Sequence, residues 1–120
     1  MGPVASFTES GAEAPKLEPW PAITGVIEGD PKQSGHFATN DRNTLLTGIW
    51  ECTPGKFSVN AFFARQTEFA CITAGRLRVT AEDGTVQEYG AGDSILTPRG
   101  FQGAWEVLEP LRKIFAIRKD

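Results

Sequence analysis

Few side chains in this sequence are suited to acid–base, nucleophilic or metal chemistry, and they stand apart. There is one histidine, His36, and there are two cysteines, Cys52 and Cys71. No Cys-x-x-Cys pair exists for zinc or redox work, and two thiols make no disulfide framework. Glu68 opens the strand-like segment Glu68 to Thr73 and could point inward. A carboxylate facing the inside of a sheet must be hydrogen-bonded, paired or protonated, because uncompensated burial of charge is costly. Glu68 would then be a general base, or a structural group held by an inward Arg or Lys, a Trp or a backbone N–H. On this basis Glu68 is the candidate catalytic residue. His36 follows Gly35 in a polar stretch and reads as an exposed loop histidine. A ligand role would require that loop to cover Glu68. Cys71 is out of phase with Glu68 and should face away. Both cysteines read as small, unreactive hydrophobes.

The elements that must position these residues are β-strands. Leu45 to Cys52 and Lys56 to Ala64 are apolar segments separated by Pro54-Gly55. Phe57, Val59, Ala61 and Phe63 alternate onto one face. Glu68 to Thr73 ends at Ala74-Gly75, and Arg76 to Ala81 has a clean period of two. Asp83-Gly84 marks a hairpin, since it tolerates the positive φ such turns need. Val86 to Tyr89, Ser94 to Thr97, Gln102 to Leu108 and Arg112 to Arg118 follow as further strands. No segment carries a helical stripe. About eight short strands with frequent turns predict a sandwich or barrel, which limits exposed strand edges. Residues 1–43 are expected to be an N-terminal arm and loops packing on the barrel, with 30–43 a loop and Ile23 to Ile27 a short strand. Residues 44–120 form the core.

Gly55 to Trp105 resembles the two motifs of the cupin superfamily. Ala61-Phe62-Phe63-Ala64-Arg65-Gln66-Thr67-Glu68, followed by Gly75, has the spacing of the first. Gly92-Asp93-Ser94-Ile95-Leu96-Thr97-Pro98-Arg99-Gly100-Phe101-Gln102-Gly103 has the spacing of the second. Pro98 and Gly100 suit the turn that returns the next strand, and Gly75 and Gly92 suit chain reversals. The phrases Gly48-Ile49-Trp50-Glu51-Cys52-Thr53-Pro54-Gly55 and Gly100-Phe101-Gln102-Gly103-Ala104-Trp105 are similar to one small-cupin family. That family includes cupin domains similar to ureidoglycine aminohydrolase and the ethanolamine-utilisation cupin. The resemblance implies an all-β chain: a single small antiparallel barrel of the cupin, jelly-roll type with an extended N-terminal arm.

Cupins of this type hold a metal with histidines and a glutamate, and the resemblance places those histidines at Ala61, Phe63 and Gly103. None of these side chains can ligate, so no metal cofactor is expected. The hydrolase members use Glu, His and Gln, a set this sequence does not supply either. Gln102 should face outward unless a bulge turns it. Without a metal, the expectation is a pocket lined by Trp50, Phe57, Ala61, Phe63, Phe101, Gly103, Trp105 and Phe115. Such a pocket would bind a small organic molecule. The alternatives are an aminohydrolase- or isomerase-type enzyme using Glu68, with or without an atypical metal, and a dimeric interaction module. Phe62 and Phe69 fall on the outer phase, and the resemblance implies a homodimer.

The totals agree with one small domain. The chain has 120 residues, a net charge of -3 and a pI near 5.2, which disfavours nucleic acid as a partner. No apolar run is long enough to span a bilayer and no signal peptide is evident, so a cytoplasmic location is expected. Arg112, Lys113, Arg118 and Lys119 read as the solvated face of a last strand.

Overall fold

A computed structural model describes residues 4–8, 14–39 and 42–119. Among these there is no helix, so none is long and apolar enough to cross a membrane. Nine antiparallel strands form one curled sheet, as expected for an all-β jelly roll. They are β1 (Glu18–Pro19), β2 (Val26–Gly29), β3 (Gln33–Thr39), β4 (Leu45–Cys52), β5 (Gly55–Ser58), β6 (Gln66–Ala81), β7 (Val86–Gly90), β8 (Ser94–Thr97) and β9 (Gly103–Lys119). The main path runs β1-β3-β4-β9-β5-β2, and β6 pairs with β7, β8 and β9.

β9 is the spine. One edge pairs with β5 and then β4, while the other pairs with β6 along nearly its whole length. Trp105 and Val107 before the exposed Glu109-Pro110, and Leu111, Lys113, Phe115 and Ile117 after it, are buried. This alternation is the period of a strand with one face on a core. β6 changes phase part-way. Glu68, Ala70 and Ile72 point inward, then an irregularity between Ile72 and Leu77 shifts the register. Leu77 and Val79 are the inward residues beyond it. Gly75 enables the shift: its φ is +87°, and a Cβ there would lie 2.1 Å from the carbonyl oxygen of Pro110. The sequence reading divided this region into two strands on each side, yet β6 and β9 both run through the bend.

Two further expectations are corrected. Residues 33–39, read as loop, form β3 and pair in full register with β4. Its polar composition, with Gln33, Ser34 and His36, masked the strand. The strand expected over Lys56 to Ala64 stops at Ser58. Residues 60–63 turn instead, with the Phe63 N–H donating to the Val59 carbonyl. Part of the expected N-terminal arm lies outside the described residues.

Candidate functional site

The inward faces of β4, β5, β6 and β9 enclose a cavity of about 230 Å³. Trp50, Phe57, Trp105 and Phe115 supply most of its apolar wall. Two charged residues line it, Glu68 and Lys113. They form one unit. The Lys113 Nζ donates to Glu68 Oε1 at 2.8 Å and to Oε2 at 2.9 Å. Both side chains are almost fully buried, 5% exposed for lysine and 1% for glutamate. The remaining surface of the ammonium lies 4.6 Å from the Trp50 ring centre and 4.4 Å from that of Trp105. A cation over an indole face is attracted by the ring quadrupole, most strongly where water is excluded. Burial holds the Lys113 ammonium below the ordinary lysine pKa, while Glu68 pulls it back upward.

Lys113 therefore corrects the sequence reading, which placed it on a solvated face. Its neighbours in the alternation were the available signal. Leu111, Phe115 and Ile117 are inward on the same strand, so Lys113 shares their phase. Arg118 and Lys119 are exposed as expected, and Arg112 pairs on the outer face with Glu51. That pair takes Glu51 away from the cavity.

The other expected site residues divide into two groups. Trp50, Phe57, Ala61, Trp105 and Phe115 line the cavity. Phe63, Phe101 and Gly103 do not. Phe63 is fully buried behind the wall, with ring centres 5.6 Å from Trp105 and 6.3 Å from Phe101. Gly103 packs against β6, where a Cβ would lie 2.2 Å from the Thr80 carbonyl oxygen. Ala61 sits in the exposed turn at the cavity rim beside Phe62. His36 lies on β3 opposite Ile49, one residue out of phase with Gly35, which pairs with the inward Trp50. It thus faces away from Glu68 and approaches Phe7, 6.4 Å between ring centres. Gln102 is exposed beside Glu82.

These residues do not suit a divalent metal. No group of three or more His, Cys, Asp or Glu side chains gathers among the described residues. Glu68, the one carboxylate at the cavity, has both oxygens committed to an ammonium.

The chain from Trp20 to Thr24 covers one side of the cavity. Trp20, Ala22, Ile23 and Thr24 line the cavity. The Trp20 N–H donates to the Gln33 carbonyl at 3.0 Å. The Gln33 side chain accepts from Trp50 Nε1 and donates to the Pro21 carbonyl, each at 2.8 Å. The Trp20 ring lies flush on Gly35, where a Cβ would be 2.4 Å from it. Gly35 is thus required here by close approach.

Neither cysteine takes part in this site. Burial pushes the Cys52 thiol up to about 11, partly offset by the Lys113 charge. A raised pKa means the folded state favours the protonated thiol. The resulting stabilisation is complete below the ordinary thiol pKa and is lost as pH rises through about 11. Cys71 is half-buried and accepts from the Ser94 hydroxyl at 3.2 Å. Alkylation of the native protein near pH 8, read by peptide mass spectrometry, is expected to label Cys71 first and Cys52 only on unfolding. Equal labelling of both would show that Cys52 is accessible.

Residues 39–115, more than half of the chain, match the family model of the EutQ-like cupin domain. The chain belongs to that family. Solved structures agree on the cupin fold. The EutQ protein of Clostridium difficile superposes with a TM-score of 0.63 at 16% identity, over 74% of this chain and 64% of that one. A DUF861-family protein of unknown function from Pseudomonas syringae gives 0.76 at 22%, over 86% of this chain and 44% of that one. A DUF861-family protein from Thermotoga maritima gives 0.51 at 34%, over 56% and 73%. This EutQ-like cupin spans less than two thirds of the length of the first two. A comparison with curated proteins returned no match.

Proposed function

We propose that this cupin binds a small organic molecule in its aromatic cavity without a metal. The observation that carries the reading is the Lys113 ammonium seated on Glu68. The carboxylate at the motif position is neutralised by the chain's own cation, beside an apolar space of about 230 Å³. Concave apolar pockets with few polar groups are the usual form of small-ligand sites. This cavity is at the small end, with room for roughly seven or eight water-sized groups. Acid–base chemistry at Glu68 gains nothing from the geometry, since both oxygens already accept from Lys113.

The test is thermal unfolding of the purified protein against a broad panel of small metabolites, with and without chelator. A ligand at about 100 times its Kd adds ~2.7 kcal/mol and raises Tm by several degrees. The expected result is at least one such ligand whose effect is unchanged by chelator. A panel without any shift, or a shift abolished by chelator, overturns the reading.

A second copy of the chain is the favoured partner. Phe69 and Leu96 are cross-strand neighbours on the outer face and are 49% and 65% exposed. Adjacent exposed apolar side chains on a sheet mark an association surface.

A further inference from the structure

The cavity's charge balance narrows the class of ligand, given the binding reading above. Glu68 and Lys113 are the charged residues in its wall, and they cancel. Neither offers an open face to a counter-ion. Both carboxylate oxygens accept from Nζ, and two indole rings cover the ammonium. A carboxylate ligand would enter beside Glu68 with no free cation, and an amine would have to displace Lys113. Either places an uncompensated charge among aromatic rings, at heavy desolvation cost.

The remaining polar groups carry no charge. Gln33 is bonded through both ends of its amide, and the Ser58 hydroxyl accepts from the Asn60 N–H. The Trp105 indole N–H has no acceptor, but it is buried with no surface open to the cavity, so a guest cannot reach it.

We infer that the cavity selects uncharged molecules with an apolar, ring-sized body. The class comprises small aromatic hydrocarbons and neutral aryl ketones, aldehydes and esters. Carboxylic acids and amines of the same size are excluded.

Four probes of matched size separate the possibilities in titration calorimetry: acetophenone, ethylbenzene, benzoate and benzylammonium. Acetophenone and ethylbenzene are both expected to bind. The two ions are expected to bind at least about tenfold more weakly than acetophenone, a difference of ~1.4 kcal/mol. Benzoate or benzylammonium binding as well as acetophenone overturns the selection rule but leaves binding itself intact. If none of the four binds, the binding reading fails with it.

Discussion

Lys113→Met is expected to lower the unfolding free energy by about 3–5 kcal/mol, the range for breaking a buried ion pair from one side. The substitution keeps the volume and the apolar stem but strands the Glu68 carboxylate among Trp50, Trp105 and Phe115. Nothing else in the wall can neutralise it. Domains of this size have total stabilities of roughly 5–15 kcal/mol, so the loss is a large fraction. The decisive comparison is the double variant Glu68→Leu, Lys113→Met. Replacing both charges by apolar groups of similar shape is often neutral or stabilising. The double variant should therefore recover most of what the single one loses. Urea unfolding of the wild type, both single variants and the double variant closes the cycle. A single-variant loss under about 1 kcal/mol, the scale of a surface ion pair, would mean the pair is solvated.

The second large effect is expected at Phe63. Its ring is fully buried and meets Phe62, Phe101 and Trp105 edge-on or tilted. Truncation to alanine should cost about 3–5 kcal/mol, the range for emptying a phenylalanine-sized core site. Phe62, its neighbour, is 45% exposed, and Phe62→Ala should cost far less. The backbone tie from the Gly100 N–H to the Phe63 carbonyl survives both changes. The difference therefore reports packing rather than loss of the turn. Equal costs at the two positions would show that the ring is not a core plug. Histidine introduced at Gly103 would not be accommodated. Its Cβ would collide with the Thr80 carbonyl, a backbone atom that cannot yield without moving β6.

Much of the architecture was legible because its signals are local. Leu45–Cys52 and Ser94–Thr97 begin and end where apolar runs meet turn residues. The motif spacing located Glu68, Gly75 and the Pro98–Gly100 turn. What escaped was set by tertiary context. β3 is short of apolar residues, and its pairing with β4 is what makes it a strand. The bend in β6 and β9 depends on the close approach of Gly75 to Pro110, which no propensity encodes. Lys113 was misplaced because its charge was weighed above its phase. The alternation of β9 carried the correct answer, yet a lysine enters such a series only where a carboxylate awaits it across the fold.

The segment over the cavity has a kinetic implication. Its links near the opening are the Trp20 and Gln33 bonds and the seat of one indole on Gly35. A guest seated beside this segment is held on that side by those links, so weakening them should shorten its residence.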